Sequence, residues 1–403
     1  MNEIQKINSA EKRVLKINMV VLSCYLLSIV DIINRSRFSA GVGAIKYSFS
    51  LAFGFVVLYI FKQKYNVAEK KNAALAISLI ISAVYPTVTS SVVSWSEEGY
   101  SLILCIILYF LMTMVNLSSY NICKILSFYS IITLCISLWI LYDFVNGIDL
   151  GWSSGVSITV MGNMKDPNYL AAFLVPGFTY LFYSFLFSEK KRLKTLFISI
   201  VVFCGIFFTG SRGAFLGLVL SIGIIVSKII FSGKISGRKV ILFFLVMLSI
   251  LFAYEILMNS RLAARMLDAE SYTGNIRWVI WGKALQAFRK HPIIGSGLQS
   301  GSAFSRSSTR FVTHNCFIDI LTGQGIIGIC LFTVSFWGIL SVKRENRYFM
   351  LAMMASFFTP LFFTNGYEGI TFWLPMIFCY QISFYCKNNS CENLLFKNWN
   401  LRI

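Results

Sequence analysis

Three short segments carry the side chains best equipped for chemistry: Thr209-Gly-Ser-Arg212-Gly, Asn275-Ile-Arg277-Trp and Thr313-His314-Asn. They stand in a chain that is otherwise mostly lipid-soluble, and hydrophobic spans tolerate ionisable groups only where pairing or function holds them there. A guanidinium offers a planar fork of donors that bonds two phosphate oxygens at once, so Arg212 and Arg277 suit a diphosphate. An imidazole is the side chain best able to take a proton near neutral pH, so His314 suits a hydroxyl that must become a nucleophile.

Each residue also has a plainer reading. Arg212 follows Thr209-Gly-Ser and opens an apolar helix, where an arginine can simply snorkel to lipid headgroups. Against that, exposed amides and a guanidinium at a helix N-terminus form an anion site, the dipole adding to the formal charge. Arg277 is one of several arginines in its loop, with Arg261, Arg265 and Arg289, and it stands out because Trp278 and Trp281 follow it. His314 taken alone reads as structural, yet Asn315 follows it and Asp319, about one turn on, is placed to orient the ring. His291, in a proline-glycine turn, reads as a loop-shaping residue.

Other chemistries fit poorly. Glu97 and Glu98 are adjacent and would point apart on a helix, and Glu368 stands alone, so paired carboxylates for glycoside hydrolysis are not supported. No glycine-rich loop ends in Lys-Ser or Lys-Thr, and Gly295-x-Gly297 reads as a turn. With 2 histidines a multi-histidine metal centre is impossible. The 10 cysteines form no C-x-x-C pair, and Cys24, Cys105, Cys135, Cys204, Cys330 and Cys379 lie inside apolar runs as small buried hydrophobes. Neither a disulfide framework nor a metal site is expected.

The elements that must position these residues are membrane helices. Of 403 residues 57% are hydrophobic and only 13% charged, against roughly a quarter charged in soluble domains. Apolar runs of the ~20-residue length a bilayer requires recur about twelve times. Their cores are 16–33, 41–61, 73–93, 100–117, 122–145, 169–187, 194–209, 212–231, 239–257, 318–342, 348–364 and 369–386. The expected fold is all-α: a single polytopic transmembrane domain over 1–403, with no cleavable signal peptide and one large extracytoplasmic loop, 258–314. With the N-terminus in the cytoplasm, 23 of the 36 Lys and Arg fall in cytoplasmic segments and 3 in short outer loops. That asymmetry supports an even number of spans with both termini inside. Most of the net charge of +19 therefore faces anionic cytoplasmic lipid rather than nucleic acid. Of the basic residues left over, 8 lie in 258–314 and Arg212 sits at an outer helix end. Within the large loop, Trp278, Trp281, Leu285 and Phe288 recur at helical spacing, predicting an amphipathic helix on the outer membrane face that His291-Pro-Ile-Ile-Gly-Ser-Gly then stops. The second outer loop, 146–168, ends in Lys165-Asp-Pro-Asn168.

Taken in order, Ser211-Arg212-Gly, Arg277-Trp-x-x-Trp281, His291-Pro-Ile-Ile-Gly295-x-Gly297 and His314-Asn315-x-x-x-Asp319 with Gly325 resemble the bacterial O-antigen ligase and polymerase superfamily. The resemblance covers about 160–345, and Lys165-Asp-Pro-Asn168 is similar to an upstream motif of that group. It implies an all-helical glycosyltransferase of the lipid-linked-donor type in the bacterial cytoplasmic membrane, its active site on the outer face. Such enzymes move a glycan from undecaprenyl pyrophosphate to an acceptor hydroxyl without metal or other cofactor. Carried over, Arg212 and Arg277 clamp the pyrophosphate, His314 is the general base, and Asn168, Ser211, Trp281, Asn315 and Asp319 are substrate-binding. Losing one such arginine would cost ~2.7–4 kcal/mol, by analogy with a removed oxyanion donor. The implied partners are lipid-linked donor and acceptor glycans, membrane lipids, and assembly proteins such as a flippase or chain-length regulator.

A repeat-unit polymerase is the favoured reading. A ligase delivering a finished glycan to lipid A-core or another acceptor stays open, because the shared residues handle only the donor. A transporter or flippase has the same number of spans, but it would place ionisable residues near the midplane and often show repeated halves. A lipid-binding scaffold without catalysis is the plainest alternative.

Overall fold

The computed structural model describes residues 22–27, 29, 52–54, 56, 70–91, 97–115, 117–146, 158–160, 163–165, 167–188, 192–231, 272–298, 300, 313–364, 367 and 369–394. Ten helices run through them: α1 (Lys70–Val88), α2 (Glu97–Thr113), α3 (Ser119–Val145), α4 (Pro167–Phe187), α5 (Arg192–Phe208), α6 (Arg212–Phe231), α7 (Tyr272–Lys290), α8 (Cys316–Trp337), α9 (Arg347–Phe358) and α10 (Ile370–Asn388). The loop between α3 and α4 holds a two-stranded antiparallel ribbon, β1 (Ile158–Val160) with β2 (Asn163–Lys165), Thr159 facing Met164. Among the described residues the fold is all-α as expected, this six-residue ribbon aside.

Among the described residues four helices are long and apolar enough to cross a membrane, Ser119–Asp143, Asn168–Phe187, Arg212–Phe231 and Cys316–Ser335, with shorter apolar helices at Ala74–Val88, Gly99–Thr113 and Leu193–Phe208. The expected cores 16–33, 41–61 and 239–257 lie wholly or mainly outside the described residues. The run 348–364 is a 12-residue helix, α9, continued by a 3-10 turn, Thr359–Phe362.

α4 is the centre. Buried residues make up 83% of its apolar window, against 28% for α6, and it packs against α3, α5, α6 and α9. Small residues let these helices approach, as expected where lipid removes the hydrophobic drive. A Cβ on Gly177 would come within 2.6 Å of Thr133, and one on Gly205 within 2.5 Å of Ser137. Hydroxyls in the apolar helices return their protons to carbonyls one turn back, as Ser130 does to Leu126 and Ser137 to Thr133, both 2.8 Å. Thr179 of α4 also donates to the Ser221 hydroxyl of α6 at 3.1 Å.

The bundle has two distinct ends. At one, Lys228 donates to the Tyr183 hydroxyl at 2.7 Å, Gln381 to the Met112 carbonyl at 2.6 Å, and Tyr180 to the Leu394 carbonyl at 2.9 Å. There Cys386 and Cys391 form a disulfide across the turn after α10, which corrects the expectation of none. Their Cα atoms are 5.5 Å apart because the turn folds back on Asn346, whose amide bonds the Cys386 and Asn389 carbonyls at 2.8 and 2.7 Å. Cys24, Cys105 and Cys379 are buried as expected, whereas Cys135 and Cys330 face outward from apolar helices. The other end gathers the N-termini of α4, α6 and α8.

Candidate active site

The corner between α5 and α6 accounts for the first motif residue by residue. The Thr209 hydroxyl donates to the Ile206 carbonyl at 2.6 Å and closes α5. Gly210 turns the chain with φ 63, a conformation that glycine adopts at no steric cost. Ser211 caps α6: its hydroxyl oxygen accepts from the Ala214 amide at 3.4 Å and its proton goes to Asn168 Oδ1 at 2.9 Å. Asn168 belongs to the first turn of α4, where Pro167 occupies the opening position that needs no amide hydrogen. One bond thus joins the start of α4 to the start of α6. Arg212, the first residue of α6, is exposed.

Gly213 extends the connection. The ring of Phe363 lies where a Cβ on Gly213 would come within 2.5 Å, and the next carbonyl, of Thr364, accepts the Cys316 amide at 3.1 Å. Cys316 begins α8, so the N-termini of α4, α6 and α8 are linked by one run of contacts. Asn315 caps α8, its Oδ1 accepting from the amides of Phe317 and Ile318 at 3.0 and 3.1 Å. His314 stands just outside that cap, half-buried, with φ 51. It is the one non-glycine residue with positive φ among the described residues.

α7 reaches the same place through Trp281, whose indole N–H donates to the Thr313 carbonyl at 2.8 Å. Arg277, one turn earlier, is half-buried. The helix expected here is present and begins at Tyr272; Ile280, Ala284 and Ala287 are its buried side chains, and α7 packs against α8. Trp278 and Leu285, on the face expected from the tryptophan spacing, are exposed, and the Trp278 and Trp281 rings meet edge to face at 5.2 Å. The turn that stops α7 is positioned by α8, which breaks at Gly325 (φ 67, ψ −162).

Asp319 was expected to orient His314. Its Oδ1 accepts a 2.6 Å bond from the Thr313 hydroxyl, so the nearest neighbour in sequence to the histidine is what the carboxylate holds. Asp319, Asn315 and Thr313 are all buried. Asn168, Ser211, Arg212, Trp281, His314, Asn315 and Asp319 are therefore brought into one connected assembly, with Arg277 on the helix that carries Trp281.

Two contributors escaped the sequence reading. Thr313 has a local signature, a threonine two residues before a capping asparagine. The Phe363–Thr364 bridge has none, since its contacts are with residues far away in the chain. Among the described residues no group of three or more His, Cys, Asp or Glu is arranged to hold a metal ion.

Residues 196–333, from α5 through most of α8, match the family described as O-Antigen ligase, which supports the resemblance to the O-antigen ligase and polymerase superfamily. The matched segment holds Arg212, Arg277, Trp281, His314, Asn315 and Asp319, while Asn168 lies before it. No curated protein matches the chain. The role that goes with this segment is ligase- or polymerase-like, in a glycosyltransferase-like class of membrane enzyme.

Proposed function

We propose that the protein polymerises polysaccharide repeat units, with donor and acceptor both carried on undecaprenyl pyrophosphate. The observation that supports this most directly is the run of contacts from Asn168 through Ser211, Gly213, Phe363 and Thr364 to Cys316. It ties the helix start bearing Arg212 to the cap bearing His314, so an anion grip and a base belong to one rigid unit. Three helix N-termini at that end add partial positive charge toward a bound anion.

In the proposed reaction the non-reducing-end hydroxyl of one lipid-linked repeat attacks the anomeric carbon of the other glycan. The new glycosidic C–O bond forms as the bond to pyrophosphate breaks, and that electron pair leaves with undecaprenyl pyrophosphate. His314 receives the hydroxyl proton. Arg212 and Arg277 hold the pyrophosphate and stabilise the charge growing on its leaving oxygen, the kind of preorganised electrostatics that dominates many enzymes. Chemistry of this design needs no metal from the protein.

In the same reading the chain crosses a bacterial cytoplasmic membrane about twelve times with both termini in the cytoplasm. The end carrying Lys194, Lys228, Lys343, Arg344, Arg347 and Lys387 then faces the cytoplasm, and the site faces outward. The description of the matched family favours a second reading, a ligase that transfers a finished glycan to a different acceptor.

The test is glycan joining by the purified chain in lipid vesicles, supplied with undecaprenyl-pyrophosphate repeat units. A ladder of longer glycans, lost in Arg212→Ala and His314→Ala, is expected. Transfer only to a different acceptor selects the ligase. Translocation with no new bond overturns the transferase assignment, and a ladder undiminished in both variants overturns the roles given to Arg212 and His314.

A further inference from the structure

We propose that Thr313 is the positioning residue that aims His314, a role resting on the reading of His314 as the base. A positive φ is costly for a residue with a Cβ and persists only where its surroundings over-determine it. Here both peptide planes flanking the His314 Cα are held. The plane before it is fixed by the Trp281 indole, which donates to the Thr313 carbonyl at 2.8 Å. The plane after it is held by the Asn315 amide, which donates to the Thr313 hydroxyl oxygen at 3.4 Å.

The hydroxyl is itself oriented. Its proton goes to Asp319 Oδ1 at 2.6 Å, which turns a lone pair back toward the Asn315 amide. Thr313 is fully buried, so it acts through its neighbour rather than on substrate. One threonine thus couples the first turn of α8, the indole of α7 and the backbone of the imidazole. Removing only its hydroxyl releases the plane after His314 and leaves the Asp319 carboxylate without that donor. The imidazole direction then relaxes while the donor grip at Arg212 stays intact.

The chain contains 2 histidines, so a His291→Gln background on a histidine-free tag leaves His314 as the sole imidazole. Its carbethoxylation rate with diethylpyrocarbonate needs no turnover, and kcat and KM for glycan joining supply the second readout. Thr313→Val is expected to change the carbethoxylation rate and to lower kcat by about tenfold or more at unchanged KM. Thr313→Ser, which keeps the hydroxyl, is expected to match the parent in both. The proposal is overturned if valine leaves either readout at the parent value, or if serine is as impaired as valine. Should the valine variant not fold, Trp281→Phe removes the other restraint, and an unchanged carbethoxylation rate there overturns it equally. If the parent joins no glycan, the transferase reading falls while carbethoxylation alone still decides the role of Thr313.

Discussion

Gly297 donates its backbone amide to the carbonyl of Gly323 at 3.0 Å, and this bond seats the turn after α7 inside α8. A continuous α8 would bond Ile326 to Thr322 and Ile327 to Gly323. Instead, Thr322 and Gly323 accept from Ser296 and Gly297, while Ile326 and Ile327 donate to Pro292 and Ile293, at 2.9 to 3.1 Å. Two helical bonds are exchanged for four loop bonds, so the carbonyls and amides released at the break find partners in an apolar setting. The His291-Pro-Ile-Ile-Gly-Ser-Gly motif is therefore the missing piece of α8.

Two of the three glycines with positive φ at this joint, Gly295 and Gly325, should resist any side chain. A Cβ on Gly295 would run into the Gly323 backbone, and one on Gly325 into the Ile293 carbonyl, at φ 76 and φ 67. Gly295→Ala and Gly325→Ala are each expected to lose about 2 kcal/mol or more, from the left-handed backbone and the overpacking together. Gly282, with nothing within 4 Å of its added Cβ, is the control, and Gly282→Ala should gain ~0.5–1 kcal/mol. Thermal unfolding in detergent separates these outcomes, and three equal midpoints would contradict the joint.

Ser211 and Asn168 should behave as a coupled pair. Ser211→Ala removes a helix cap, worth ~1 kcal/mol, together with the bond to Asn168. Asn168→Ala removes the same bond from the other side and leaves the cap to Ala214 in place. A double-mutant cycle on unfolding is expected to show a coupling of ~0.5 kcal/mol or more, whereas strict additivity would mean that the starts of α4 and α6 stand independently.

How much of this was legible depended on range. The start of α6 could be read because Ser211 and Gly213 flank the first charged residue of an apolar run, and local capping chemistry leaves its mark within four residues. Asn315 ahead of the α8 apolar run is the same signal. The inner face of α7 left little mark in the sequence because Trp278 and Leu285 outweigh Ala284 and Ala287 in any apolar pattern, although alanines are what allow a helix to lie close against α8. The break in α8 was hidden for a related reason. Gly325 inside an apolar stretch is tolerated in a membrane helix, and only the distant His291–Gly297 turn makes it a joint. The bond from Thr313 to Asp319 likewise left no mark in the sequence, because it spans the cap rather than a helical turn.

Asn315 offers a way to separate folding from donor recognition. An aspartate keeps the two capping bonds to Phe317 and Ile318 and adds negative charge at a helix N-terminus, favourable by ~0.3–1 kcal/mol. The same charge beside the proposed pyrophosphate site would oppose the donor. Asn315→Asp is therefore expected to unfold no earlier than the parent while KM for the lipid-linked donor rises by about tenfold or more. Rising salt should relieve part of that increase. An unaltered donor KM in a stable Asn315→Asp protein would mean that the anion binds elsewhere.

Arg212 distinguishes a phosphate fork from a lipid anchor. If it only snorkels to headgroups, Arg212→Lys and Arg212→Ala both stay near the parent, since exposed Arg212 sits at the very start of α6 where either substitution is accommodated. As a bidentate grip it cannot be replaced by a point charge on a flexible stem. Arg212→Ala is then expected to lower kcat/KM by ~10²–10³, with Arg212→Lys recovering only a minor part. The division between constants carries the mechanism. Binding shared equally by the ground and transition states shows in KM alone, whereas charge that develops as the anomeric bond breaks shows in kcat. A larger fall in kcat than rise in KM is the expected outcome, measured with saturating acceptor. A pure KM effect would leave Arg212 holding the donor and assign the leaving-group charge to Arg277.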